Sequence, residues 1–167
     1  MCKKFLFAAA LLLSAALAVA QSDLKIAYVS YEEILFAMPE ISDAESALAT
    51  LNESYKAELG KMQDELNRKY SDYLAEKDSL PENIILRREQ ELAELQERTQ
   101  NFYMVSNQEM QKKQQELLAP IRQKLDDMIK KIAAESGYTY VFNQEDLLYV
   151  GPNGIDISSQ VKKALGL

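Results

Sequence analysis

The chain has 167 residues, a formal charge of −7, one cysteine and no histidine. Without histidine, every nucleophile activated by an imidazole is excluded, and so are zinc sites built on Cys and His. An acidic balance of this size repels phosphate backbones and argues against nucleic acid as a partner.

Residues 1–20 read as an export leader. Lys3 and Lys4 give a positive start, Phe5 to Leu17 an apolar run, and Ala18-Val19-Ala20 a small-residue cleavage site. The run is short for a membrane span. Cleavage after Ala20 would remove Cys2 and leave a chain with no thiol, so no disulfide could form in an oxidising compartment. Losing Lys3 and Lys4 leaves 17 basic residues against 26 acids, a formal charge of about −9.

Residues 24–36 open with the strand-like Ile26 to Val29 and continue as a short amphipathic helix from Tyr31 to Phe36. Pro39 suits the first turn of a new helix. From there Leu51, Tyr55, Leu59, Met62, Leu66, Tyr70 and Tyr73 recur at helical spacing in an eleven-residue repeat. The segment Asp78-Ser79-Leu80-Pro81-Glu82-Asn83 breaks this pattern, with Ser79 placed to cap the helix that follows. Asp78-Ser79-Leu80 also resembles a short O-glycosylation signal of some Gram-negative bacteria, although capping already accounts for Ser79.

The second helix is expected from about Pro81 to Ser136. Its apolar seam would be Ile85, Leu92, Leu95, Phe102, Met110, Leu117, Ile121, Leu125, Met128 and Ile132, and Gly137 supplies the stop. Acid-first pairs four apart, such as Asp64/Arg68, Glu65/Lys69, Glu94/Arg98 and Asp126/Lys130, support both helices by about 0.2–0.5 kcal/mol each. They also explain Asp126-Asp127 as a solvated face rather than an acid–base or metal site. At 1.5 Å per residue the helices would be roughly 60 Å and 80 Å long. A short turn between them makes an antiparallel hairpin, or stalk.

The last segment reads as a strand at Tyr138 to Phe142, a turn at Asn143 to Asp146, a strand at Leu147 to Val150, the turn Gly151-Pro-Asn-Gly154, a possible strand at Ile155 to Ile157, and a helix from Ser158 to Leu165. These strands would pair with Ile26–Val29. Three parts follow: a leader at 1–20, a small α+β body from 21–38 and 137–167, and a hairpin from 39–136. The fold is thus mainly α with a small β body. So small a body is marginal for a core of its own, which argues for oligomerisation through it, with Ile26, Tyr28, Tyr140, Phe142, Leu148 and Val150 as the candidate residues.

The order of Ile26-Ala-Tyr-Val-Ser, Tyr31 to Phe36, Met38-Pro39-Glu40, a long charged hairpin, Gly137-Tyr-Thr-Tyr-Val-Phe142, Leu147-Leu-Tyr-Val-Gly-Pro-Asn153 and Ile155-Asp-Ile157 resembles the Skp/OmpH family of periplasmic chaperones. The two ends are the specific part. The resemblance implies a jellyfish-like trimer in which three helical tentacles leave a joint β-rich body and enclose a cavity. It implies ATP-independent holding of unfolded outer-membrane β-barrel proteins in the periplasm, with no cofactor, no metal and no catalytic residue. The best-known members are strongly basic and this chain is acidic, so contact with lipopolysaccharide or anionic membranes does not carry over.

Four hairpin residues are candidates for client contact: Phe102, Tyr103, Met104 and Leu74. Adjacent helical positions diverge by about 100°, so Phe102 to Val105 cannot all face the partner helix. Phe102 falls on the seam, and Tyr103 and Met104 are either incidental surface or an adaptable client surface. Pro120 should bend its helix, as a fixed bend or as a hinge that adapts the cavity to its clients. A different reading of the same features is an oligomeric coiled-coil spacer of the cell envelope, which would need no apolar surface away from the seam.

Overall fold

The computed structural model describes residues 24–167. The leader expected at 1–20 lies outside them. In chain order the elements are β1 (Ile26–Val29), α1 (Tyr31–Ala37), α2 (Pro39–Glu76), a 3-10 turn (Lys77–Ser79), α3 (Glu82–Ser136), β2 (Tyr140–Asn143), a second 3-10 turn (Gln144–Asp146), β3 (Ile155–Asp156) and α4 (Ser158–Leu165). They form two compact units, one of residues 24–37 with 124–167 and one of residues 38–123.

The first unit is built on a three-stranded sheet in the order β2-β1-β3 with both pairings parallel. Pleating puts alternate residues on opposite faces. Ala27 and Val29 of β1 are buried, with Ile34 and Leu35 of α1, Leu125 and Ile132 of α3, and Ile157 and Val161 at α4. Ser158 locks this core. It donates from its backbone nitrogen and its hydroxyl to Asp156 Oδ1, at 2.8 and 2.5 Å, and its hydroxyl accepts from the Ser30 nitrogen at 2.9 Å. Polar groups buried at the start of α4 are thereby satisfied, as a helix beginning requires. Lys162 on α4 also reaches Glu33 on α1 at 2.5 Å.

Both C-terminal helix ends close in the same way. Gly137, at φ +69°, donates to Ala134 while Tyr138 donates to Ala133, and Gly166, at φ +81°, donates to Lys163 while Leu167 donates to Lys162. Each is a Schellman closure that only a left-handed residue permits cheaply.

One strand expectation is corrected. Leu147 to Val150 forms no strand within the chain, and Leu148 is fully exposed. A β-prone run becomes a strand only beside a partner edge, and β1 already has β2 on one side and β3 on the other. The Gly151–Gly154 turn that follows is closed by a 2.9 Å bond from Gly154 N to Gly151 O. A Cβ on Gly154 would lie 2.3 Å from Val150 Cγ1 and 3.2 Å from Tyr28 Cε1, so the close approach requires glycine.

In the second unit, Pro39 occupies the first turn of α2, as its missing N–H allows. The antiparallel pairing of α2 and α3 is fixed by contacts whose numbers run in opposite directions: Tyr55 with Phe102, Glu65 with Arg98 at 3.7 Å, and Glu76 with Arg88 at 3.6 Å. Up to Ile121 the expected seam residues are buried or half-buried with one exception, Tyr70, which is exposed, whereas Leu125, Met128 and Ile132 fall in the first unit. The charge pattern also differs in detail, since Arg98 crosses to Glu65 rather than pairing with Glu94.

Ser79 does not cap α3. Its hydroxyl donates backwards to the Glu76 carbonyl at 2.8 Å and closes α2. The first turn of α3 is built on Pro81, whose carbonyl accepts from Ile84 and Ile85. Pro120 lies inside α3, which is continuous through it.

Candidate functional site

Phe102 is half-buried and sits edge-on to Tyr55, with ring centroids 6.0 Å apart and planes at 79°. This geometry favours the aromatic quadrupoles and sets the rotation of α3 at that level. Ser106, one turn on, is buried at the same seam. The rest of the turn then faces away. Tyr103, Met104 and Val105 are 58%, 54% and 54% exposed, a run of three large apolar side chains on the outer surface of α3.

A second apolar surface lies nearer the turn. Tyr70 and Leu74 are exposed on α2 and Leu86 is exposed on α3. A groove of about 560 Å³ passes between the helices here, lined by Leu66, Tyr70, Leu74, Leu92 and Ala93 among others. Beneath it Tyr73 is buried and donates to Glu89 Oε1 at 2.5 Å, while Lys77 Nζ stands 5.4 Å from the Tyr73 ring centroid. The Glu89 carboxylate, and then burial, hold the Tyr73 hydroxyl above the ordinary tyrosine range, and Tyr73 in turn raises Lys77. The arrangement positions a hydrophobic tip.

The first unit carries its own open face. The register pairs Ile26 with Tyr140 and Tyr28 with Phe142, so these four side chains share one face of the sheet. Tyr140 and Phe142 stack with centroids 6.1 Å apart, and both are exposed, as is Ile26. Leu148 and Tyr149 stand out from the adjoining loop, while Val150 is half-buried. A groove of about 350 Å³ is lined by Val29, Ile129, Ala133, Val141 and Phe142 among others. Among the described residues no group of acidic, Cys or His side chains could hold a metal ion, and no helix is long and apolar enough to cross a membrane.

A family model described as outer membrane protein (OmpH-like) matches residues 25–165, which is nearly all of the described chain. The chain belongs to the OmpH-like family. No curated protein matches it significantly. A crystal structure from Caulobacter crescentus CB15, described as that of a candidate outer membrane chaperone (OmpH-like), superposes with a TM-score of 0.73 at 17% identity. The match covers 84% of this chain and 82% of that one. At that identity the likeness shows a shared fold, and the OmpH-like family is a chaperone family.

Of the residues singled out from sequence, Tyr103, Met104 and Leu74 lie on outer hairpin surfaces, whereas Phe102 belongs to the seam. Sequence reasoning missed Leu86 and Ser106, and it named Val105 in the apolar run without placing it among the client candidates. Leu86 and Val105 were legible as apolar residues off the seam register. Ser106 completes that register between Phe102 and Met110, but a serine gives no hydrophobic signal.

Proposed function

We propose that this OmpH-like chain is an ATP-independent periplasmic holdase that keeps unfolded outer-membrane β-barrel proteins from aggregating. The observation that carries the reading is the outward Tyr103-Met104-Val105 run. A spacer needs no large apolar side chains away from its seam, and their exposure has a cost that a binding role explains. Tyrosine and methionine suit a client without fixed sequence, because one offers a rigid amphipathic ring and the other an adaptable thioether. Unfolded barrels aggregate through apolar strands and unpaired edges. Helical walls offer weak apolar contact and no edge to pair with, so binding stays broad and reversible, and no cofactor enters.

The working form in this reading is a homotrimer, joined through the Ile26, Tyr28, Tyr140, Phe142 face with Leu148 and Val150, its hairpins surrounding the client. Pro120 supplies no N–H to the carbonyl one turn before it and serves as a bend in the hairpin. The acidic charge argues against anionic lipid and lipopolysaccharide as partners.

The test is light scattering while a urea-unfolded outer-membrane barrel is diluted, with and without the chain lacking residues 1–20. Suppression near one trimer per barrel, without ATP, is the expected result. Unchanged scattering across several barrels and salt concentrations would favour the spacer.

A further inference from the structure

The chain has one serine or threonine that directly follows an aspartate, Ser79 after Asp78. It falls at the turn between α2 and α3. Every other serine and threonine from 39 to 136 lies within a long helix. A transferase that modifies a folded protein must take the acceptor into a cleft as a short non-helical segment, and a helical serine would first have to unwind. Ser79 needs no unwinding. It ends a 3-10 turn, Leu80 is extended at φ −87° and ψ 144°, and Pro81 keeps Leu80 out of the helical region. Asp78 and Ser79 are exposed and Leu80 is half-buried, so an acidic residue, a hydroxyl and an aliphatic side chain stand in sequence on an accessible turn. The bond from Ser79 Oγ to the Glu76 carbonyl, at 2.8 Å, fixes the hydroxyl's direction.

We propose that Ser79 is an O-glycosylation site, recognised as Asp78-Ser79-Leu80 on the hairpin turn. The donor class is a sugar carried on a lipid diphosphate. Ser79 Oγ attacks the anomeric carbon, the bond from that carbon to the diphosphate oxygen breaks, and its electron pair leaves with the lipid diphosphate. The hydroxyl proton passes to a base of the transferase, and no redox step is involved. Attachment gives up the hydroxyl's bond to the exposed Glu76 carbonyl, since an ether oxygen cannot donate, but a hydrated glycan on the turn displaces no seam contact, whereas one on buried Ser106 would. The proposal rests on the export part of the function above and not on client binding.

The experiment is peptide mass spectrometry of the full chain recovered from the cells that naturally make it. Trypsin releases Asp78–Arg87 as one peptide. The expected peptide is heavier by a series of sugar residues, and alkaline β-elimination removes them to leave dehydroalanine at position 79. Ser79→Ala and Asp78→Asn abolish the increment, and Ser79→Thr retains it, which separates modification from any effect on folding. A peptide found only at its sequence mass overturns the proposal, as does an increment of phosphate or one that survives Asp78→Asn. In the same digest an N-terminal peptide beginning at Gln21 reports export separately, so an exported but unmodified chain sinks the glycan alone.

Discussion

Tyr55 and Phe102 meet edge to face, 6.0 Å apart, and that contact divides four consecutive large side chains into one that packs and three that do not. Because the Phe102 ring is committed to Tyr55, its neighbours Tyr103, Met104 and Val105 are turned outward by the helix geometry alone. In the proposed holdase, stability and client contact would therefore separate at adjacent positions.

Phe102→Ala removes half-buried aromatic area and should cost about 2 kcal/mol, below the range for a fully buried ring. The double change Tyr103→Ser with Met104→Ser should shift stability by no more than about 0.5 kcal/mol while weakening suppression of barrel aggregation. Urea unfolding and light scattering on the same preparations check both. A double variant with full suppression would remove this surface from the client site.

Ser106 is buried and its hydroxyl has no hydrogen-bond partner among the described residues. A buried unsatisfied hydroxyl is costly, and removing it leaves only a small void. Ser106→Ala should therefore raise stability by about 1 kcal/mol, read as a higher urea midpoint at unchanged slope. A lower midpoint would mean that the hydroxyl is satisfied in solution.

Tyr73 carries a pH dependence. Its hydroxyl donates to Glu89, so ionisation would place two anions together, and its folded-state pKa lies above the ordinary value. The neutral form is favoured by folding. Its contribution is complete below the unfolded tyrosine pKa of about 10 and is lost as pH rises through the folded value. Lys77, raised chiefly by Tyr73, acts in the same alkaline window. Between about pH 8 and about pH 11 the wild type should lose more stability than Tyr73→Phe, measured by urea midpoints. Equal losses would place the alkaline sensitivity elsewhere.

Tyr140 and Phe142 stack on an open sheet face. Replacing both by serine should change the stability of the isolated fold little, yet shift sedimentation from trimer to monomer at micromolar concentration. A wild type that sediments as a monomer would contradict the assembly outright.

The sequence by itself determined the helices, their turn, the short strands at Ile26 and Ile155, and nearly every seam residue. Helical periodicity and the Pro39 and Gly137 boundaries are local properties that survive any tertiary arrangement. It did not determine whether Leu147 to Val150 would be a strand, because pairing depends on which edge is free, and β1 has both sides taken. Nor did it fix the direction of Ser79. A serine at a helix junction can cap the following helix or close the preceding one, and the geometry of Lys77 to Pro81 made that choice. Tyr70 fits the seam register and is nevertheless exposed, while Ser106 lacks a hydrophobic signal and is buried. Burial at a seam follows the rotation and separation of two helices, and contacts such as Tyr55 with Phe102 set that rotation only once both helices are in place.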